Sequence, residues 1–307
     1  MLLIGENIHI ISKKTRAAIV ERNADFIRDL ALRQQQSGVD YIDLNIGPAK
    51  KQQGTMKWLI ETISDIISVP LSLDTTNLYE MEEGLTLLKN KCIPIINSTS
   101  GDPERLDSMM PMAQKYNANI ICLTLNNISG IPKDPEGRLE IAMQIIEKAM
   151  ELEIDNHRIL LDPLLLPVSV SQDQVMESLN SIRVFKEAFD PPVKTIVGLS
   201  NVSNGSPKEN RSLINNVFLL LAIGCGLDSA IVNAFDTDLK HIVNVVKTRQ
   251  TVSESDNLIL KLHDMMAEFG DLDDIEYDKN DPEQLKLYKT AQVLLNKNIY
   301  AHNYLNI

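Results

Sequence analysis

The chain has 307 residues, with 42 acidic against 30 basic side chains and a formal net charge of -12. This balance argues against nucleic acid or an anionic membrane as the main partner, because both carry negative charge. No apolar run reaches the ~18 residues that a membrane span needs. The first residues, MLLIGENIHI, lack the basic start of a signal peptide, so we expect none.

The cysteines and histidines do not form a pattern that is typical of a metal site. Cys92, Cys122 and Cys225 lie far apart in apolar surroundings, which favours free buried thiols in a reducing cytoplasm. The five histidines form no ligand-like pair with each other or with a cysteine. We therefore predict a cytoplasmic protein that binds no metal of its own.

Short apolar segments alternate with segments of helical periodicity along the first 250 residues. Strands are predicted at 2–5, 39–44, 71–74, 93–97, 119–123, 158–162, 195–199 and 229–232. Helices are predicted at 24–36, 56–67, 78–88, 103–116, 138–152, 172–189, 211–225 and 237–249. Eight buried strands in strict alternation with helices predict an α/β fold, the (β/α)8 TIM barrel, over residues 1–250.

The sequence lacks the signatures of two nucleotide-binding architectures. No G-x-G-x-x-G follows any predicted strand, which disfavours a doubly wound dinucleotide fold, and the P-loop pattern is also missing. Residues 251–307 lie outside the eight units and predict a C-terminal helical extension packed on the barrel, with helices at 257–269 and 282–295. Between these helices, the acidic residues 270–281 fit either a solvated connector or a docking surface for a partner protein.

Polar side chains follow the apolar segments at the point where each predicted strand ends. Asp74, Asn97, Asp162 and Asn201 are examples. In barrel enzymes the active site lies at this end of the strands. Asn offers paired donor and acceptor atoms and Asp offers two acceptors, which suits a flat heterocycle such as a pterin or a purine. Any one of these residues could instead cap a turn or a helix.

Seven short motifs occur in order along the chain and together identify a family resemblance. They are GENI near the start, DLNIGP at 43–48, LDTTN at 73–77, INST at 96–99, GIPKD at 130–134, DPLLLP at 162–167 and GLSNVS at 198–203. The set closely resembles the pterin-binding methyltransferases, in particular methyltetrahydrofolate:corrinoid (iron–sulfur) protein methyltransferases. The resemblance covers residues 1–247 and resumes at 290–304.

The resemblance implies a homodimeric barrel that binds tetrahydrofolate or 5-methyltetrahydrofolate in its mouth. It implies methyl transfer between N5 of the folate and the cobalt of a corrinoid carried by a separate corrinoid protein. By this resemblance Asp74, Asn97 and Asp162 hold the pterin edge, and Asn201 lies beside N5 as the catalytic residue. The further contacts that it implies are Gly198 and Ser200 in the pocket, with Lys194 and Arg211 on the folate tail.

Two departures from the family pattern bear on the partner. Asn7 and His9 stand where the family commonly has G-E-R-x-N, and the acidic insertion is longer than in compact members. Both favour a demethylation system in which the methyl group flows from the corrinoid to tetrahydrofolate. Two alternatives stay open: an enzyme like dihydropteroate synthase, and a folate-binding barrel without catalysis.

Overall fold

Eight parallel strands form a closed barrel with the strand order β1 to β8. This computed structural model describes residues 1–48 and 53–305. The strands are β1 (Leu2–His9), β2 (Tyr41–Gly47), β3 (Leu71–Thr75), β4 (Ile95–Ser100), β5 (Asn119–Leu123), β6 (Ile159–Asp162), β7 (Lys194–Gly198) and β8 (Ser229–Val232). The (β/α)8 TIM barrel that the sequence predicts is therefore confirmed.

Helices surround the barrel; those that precede β8 connect consecutive strands, and the others follow β8. They are α1 (Lys13–Val20), α2 (Ala24–Gln36), α3 (Thr55–Ile63), α4 (Leu78–Leu88), α5 (Pro103–Tyr116), α6 (Pro135–Glu151), α7 (Asp173–Ala188), α8 (Lys208–Gly224), α9 (Thr237–Thr248), α10 (Glu254–Ala267) and α11 (Pro282–Leu294). The sequence analysis missed α1, a helix of eight residues whose start is capped by Ser12. None of the helices in the described residues is long and apolar enough to cross a membrane.

Strand ends differ from the predicted ones by up to four residues. β4 begins at Ile95, two residues later than predicted, because Pro94 has no N–H to donate to a neighbouring strand. The carbonyl of Pro94 still accepts a hydrogen bond from the Asn119 N–H at 2.9 Å. β2 runs three residues further than predicted, since Gly47 still pairs with Thr75 of β3 across a register shift.

The barrel interior has an apolar layer that lies beneath a polar one. Ile4, Ile95, Ile121, Leu160 and Ile196 form one buried cluster inside the ring of strands. Because side chains alternate between the two faces of a strand, the residues two positions further along point inward as well. Those positions carry Glu6, Asn97, Leu123, Asp162 and Gly198. Three of these five residues have polar side chains and one is a glycine, so the interior becomes more polar towards the C-terminal ends of the strands.

The two helices after the eighth unit pack against the outside of the barrel. Phe218 of α8, Leu262 of α10 and Leu294 of α11 belong to one buried apolar cluster. At the end of α8, a Cβ added to Gly224 would lie 2.6 Å from the carbonyl oxygen of His263, so a residue without a side chain permits this close approach. The extension predicted at 251–307 is thus helical, and its last two residues lie outside the described ones. The domain boundary at residue 250 stays a prediction.

A lysine partly neutralises the acidic stretch 270–281. Lys297 Nζ lies 2.8 Å from Asp271 Oδ1 and 3.1 Å from Asp273 Oδ2. Asp271 also accepts a hydrogen bond from the Asp273 N–H at 2.9 Å, which stabilises a short turn at Leu272–Asp274. These contacts give two of the carboxylates a local structural role, and the docking of a partner protein here stays a prediction.

Candidate functional site

Three polar side chains lie next to each other across neighbouring strands at the mouth of the barrel. Asn45, Asp74 and Asn97 are register partners on β2, β3 and β4. Residues paired in this way share a face of the sheet, and Asn97 is on the inward face. Asn45 donates a hydrogen bond from Nδ2 to Asp74 Oδ2. The sequence analysis named Asp74 and Asn97 as site residues, and the structure brings them together.

A second carboxylate, Asp43, lies below this row and is hydrogen-bonded to it. Its Oδ1 accepts from Asn97 Nδ2 at 3.2 Å and from Ser72 Oγ at 2.6 Å. Burial raises the pKa of Asp43 to about 6, although the two hydrogen bonds favour its charged form. The sequence analysis did not select Asp43. The signal available was its position two residues before Asn45, which places both on one face of β2.

Glu6 of β1 connects the mouth to the turn that follows β7. Ser200 donates from Oγ to Glu6 Oε1 at 2.6 Å. Burial raises the pKa of Glu6, and the hydrogen bond from Ser200 acts in the opposite direction. Sequence reasoning placed Glu6 at the end of the first strand but did not name it as a site residue. Ser200, which was named, lies at the mouth.

Asp162 ends β6 and is a buried acceptor on the inward face. The Leu164 N–H donates to its Oδ1 at 2.7 Å. Burial raises the pKa of Asp162 to about 7, while the Leu164 hydrogen bond and the positive charge of Arg138 lower it. Among residues 1–48 and 53–305, no donor is hydrogen-bonded to Oδ2, so that oxygen can accept from a ligand.

Asp74 has the largest electrostatic perturbation of the predicted site residues. Burial raises its pKa to about 8; the charge of Asp43 acts in the same direction, and the Asn45 hydrogen bond opposes both. A buried carboxyl of this kind is stabilised by N–H donors that approach it. The mouth therefore favours a ligand whose edge presents several N–H groups.

Asn201 lies directly above the inward end of β7. It closes the turn Leu199–Asn201, and its side chain is exposed. A Cβ added to Gly198 would lie 3.1 Å from Asn201 Nδ2, which is tighter than ordinary van der Waals contact. Gly198 thus leaves room for the amide over the strand end. Both residues were named from the sequence, and both lie at the mouth.

The two basic residues named for the folate tail lie at different ends of the barrel. Arg211 is exposed in the first turn of α8, on the same side as Asn201, and its Nε donates to the Ser206 carbonyl at 2.8 Å. Lys194 is the first residue of β7, whereas Gly198 is the last. Four residues of strand separate them by about 13 Å. The prediction that Lys194 lies at the same rim is therefore wrong, because proximity in sequence was taken for proximity to the mouth.

Within the described parts of the chain, no three His, Cys, Asp or Glu side chains are grouped so that they could hold a metal ion. The acidic residues of the mouth are instead bonded to Ser, Asn and backbone donors. The predicted absence of a bound metal stays a prediction.

Comparison with known proteins identifies the family. The sequence model of the family described as pterin binding enzyme matches residues 12–233. The chain belongs to this family. This pterin-binding enzyme is 27% identical in sequence to the methylcorrinoid:tetrahydrofolate methyltransferase of Eubacterium limosum. The alignment covers 242 residues, which are 78% of this chain and 87% of that protein. The assignment made from the seven motifs is confirmed.

Other relatives of this pterin-binding enzyme include a much longer protein and solved structures. The methionine synthase of Mycobacterium leprae is 30% identical over 244 residues, which are 76% of this chain and 20% of that protein. A dihydropteroate synthase of Xanthomonas albilineans, solved with 4-aminobenzoic acid, has a TM-score of 0.59 at 17% identity and covers 82% of this chain and 94% of its own. At this identity the likeness to the solved structure shows the fold alone.

The raised pKa of Asp74 predicts a pH-dependent cost in stability. The pKa of this carboxyl is about 8 in the folded protein and about 4 in the unfolded chain. At a pH between these two values, the carboxyl is protonated in the folded state and ionised in the unfolded state. The free energy of unfolding therefore falls as pH rises through this window, by up to about 1.4 kcal/mol per pH unit. Asp74→Asn should reduce this slope, as measured by urea unfolding at pH 5 and pH 8, and the part that remains belongs to Asp43 and Asp162, whose pKa values are raised as well.

Asp238→Asn is the matched control, since Asp238 is an exposed carboxyl in the first turn of α9. This variant should keep the wild-type slope. An Asp74→Asn protein whose stability depends on pH as steeply as the wild type does would contradict the assignment of that slope to Asp74.

Proposed function

We propose that this pterin-binding enzyme transfers a methyl group from the cobalt of a corrinoid, carried by a separate protein, to N5 of tetrahydrofolate, and that it catalyses the reverse step as well. The prediction that it is a methyltransferase is confirmed by its likeness to the Eubacterium limosum enzyme. The observation that carries the proposal is the mouth of the barrel, where carboxyl and amide groups lie over an apolar layer. The direction is supported by the reaction for which that relative is named, from a methylcorrinoid to tetrahydrofolate.

The inward row at the mouth suits one edge of a pterin. The pyrimidine part of a pterin presents N–H donors beside a carbonyl acceptor. Asp74 and Asp162 provide acceptors for such donors, and Asn97 provides both a donor and an acceptor. The raised pKa values of the two carboxyls, about 8 and about 7, mean that N–H donors from a ligand would stabilise their charged forms. We infer that these three residues hold the pterin edge.

The chemistry requires positioning more than it requires a nucleophile on this chain. The corrinoid, when its carrier protein is docked, supplies the cobalt that gives or takes the methyl group. N5 changes its charge as its bond to the methyl group forms or breaks. A neutral amide at that nitrogen can strengthen its hydrogen bond in the transition state. We infer that Asn201 is this group, since its side chain is exposed above the inward end of β7.

The remaining residues at the rim suit the ends of the folate. Ser200 is fixed by its bond to Glu6 and lines the same turn as Asn201. Arg211 is exposed at this rim and could pair with the carboxylates of the folate tail. Lys194 is not part of this proposal, because it lies at the far end of β7. The homodimer and the cytoplasmic location that the resemblance implies stay predictions.

The pterin edge predicts a specific loss of affinity. Asp74→Ala and Asn97→Ala should each weaken binding of tetrahydrofolate by about 1–3 kcal/mol, because each leaves polar groups of the ligand unpaired in a buried site. Isothermal titration calorimetry measures this directly. Asn156→Ala is the matched control, since Asn156 precedes β6 at the opposite end of the barrel. Wild-type affinity in both mouth variants would exclude the proposed edge contacts.

The reaction itself has a spectral test. Mixing the protein with 5-methyltetrahydrofolate and cob(I)alamin should produce the absorbance of methylcob(III)alamin, and methylcob(III)alamin with tetrahydrofolate should give the reverse change. A parallel incubation with p-aminobenzoate and a pterin pyrophosphate tests dihydropteroate synthase activity. Product in the second assay and none in the first would favour the alternative enzyme. Folate binding with no product in either would favour a barrel without catalysis.

Asn201→Ala should lower the rate of methyl transfer much more than it weakens folate binding. Loss of one preorganised donor typically costs about 10²–10³ in rate. Single-turnover transfer at saturating folate, beside a folate titration, separates the two effects. If Asn201 only shaped its loop, the variant would lose stability and affinity together. A saturated variant that turned over at the wild-type rate would remove Asn201 from the chemical step.

A further inference from the structure

Residues 298–304, which we call the bracing segment, follow α11 and return to the end of the barrel where the mouth lies. Gln172, at the start of α7, anchors the segment from both of its amide atoms. Its Nε2 donates to the carbonyls of Val293 at 2.8 Å and Asn298 at 2.6 Å, and its Oε1 accepts from the Tyr300 N–H at 2.8 Å. The segment lies outside residues 12–233, the part that the family model matches.

The bracing segment is also fixed from within. Tyr304 is buried, and its hydroxyl lies 2.9 Å from Thr290 Oγ1 on α11. The Tyr300 ring packs against the rings of Tyr304 and His302, with centroid distances of 5.9 Å and 5.8 Å. The hydroxyl of Tyr300 therefore extends from a segment that is held in place by packing and hydrogen bonds, and this segment supports it.

One hydrogen bond joins this support to the loop between β7 and α8, and a second joins it to the first turn of α8. Tyr300 donates from its hydroxyl to Ser206 Oγ at 2.8 Å, and Asn210 donates from Nδ2 to the His302 carbonyl at 3.1 Å. Ser206 is itself buried, and its carbonyl accepts from Arg211 Nε. The contact thus lies at the far end of the loop that begins with Ser200 and Asn201.

Inside this loop, consecutive turns connect Ser206 to Asn201. The Asn204 N–H donates to the Asn201 carbonyl at 3.1 Å, and the Ser206 N–H donates to the Ser203 carbonyl at 3.0 Å. At the other end, Ser200 is held by Glu6. Asn201 lies between these two fixed points, and its side chain faces solvent at the mouth.

We propose that the bracing segment positions Asn201, with Tyr300 acting through Ser206. This inference rests on the proposed function for its effect on rate. A hydrogen-bond donor contributes to a transition state only when it is held in place before the reaction begins. Loops at the mouth of a barrel are intrinsically mobile. Val168 and Ser169 donate hydrogen bonds to the carbonyls of Val202 and Asn204 in the middle of the loop, and the bracing segment adds a contact at its Ser206 end.

Tyr300→Phe is the direct test, because it removes one hydroxyl and leaves the ring packing in place. Losing one net hydrogen bond should lower the single-turnover rate at saturating folate about three- to tenfold, with a smaller change in folate affinity. Ser206→Ala should give the same loss. The double variant should be no slower than either single one, because both remove the same interaction.

Tyr304→Phe is the matched control. It makes the same chemical change in the same segment but removes the bond to Thr290 on α11 and none to the loop. It should lower the melting temperature and leave the saturated rate at the wild-type value. A Tyr300→Phe protein with the wild-type rate, or equal rate losses in the two Tyr→Phe variants, would overturn the proposal.

Amide hydrogen exchange tests the brace without using the reaction. The N–H groups of Asn204 and Ser206 should exchange about three- to tenfold faster in Tyr300→Phe than in the wild type and in Tyr304→Phe. If the wild-type protein transfers no methyl group, the proposed function fails, and the exchange rates still decide whether the brace exists. Unchanged exchange in Tyr300→Phe would overturn the brace whatever the activity.

Discussion

The change from apolar to polar side chains over two residues of several strands is the constraint on which the site depends. Ile95 and Asn97 of β4, and Leu160 and Asp162 of β6, show the same step. Because the strands form a closed ring, these steps meet in the interior. The apolar layer excludes water from below, so the acids above it lie in a poorly solvated environment that still opens towards the mouth. A slip of one residue in β3 or β6 would turn Asp74 or Asp162 outward.

Several carboxyls lie inside this barrel, and none forms an ion pair with a basic side chain among the described residues. Asp43 and Asp74 are satisfied by Ser72, Asn97 and Asn45, which are neutral donors. Neutral donors hold the acids in place without cancelling their charge, so the acids remain able to bind N–H groups of a ligand. The protein loses stability by this arrangement, and such local conflicts with stability are expected where function lies. The burial of these carboxyls beside neutral donors thus both leaves them able to bind a ligand and lowers the stability of the fold.

Much of this architecture could be predicted from the sequence because it depends on local periodicity. The limits of β5 and β8, and of helices α2, α4 and α5, agree with the predicted ones. Asp74, Asn97 and Asp162 could be found since each directly follows an apolar segment of the sequence. Asp43 and Glu6 were not selected, because their importance comes from inward-facing neighbours on other strands. The Tyr300–Ser206 contact joins residues 94 positions apart and has no local signal at all.

The closure of the barrel also decides when the site can form. β1 pairs with β8, and Glu6 on β1 holds Ser200 beyond β7. The first strand thus remains unpaired on one edge until more than two hundred residues have followed it from the ribosome. Contacts between such distant parts of a chain form late and slowly. A nascent chain that stops before β8 holds every acid of the mouth but cannot close the ring that brings them together, so binding competence arises in one step once β8 has been made.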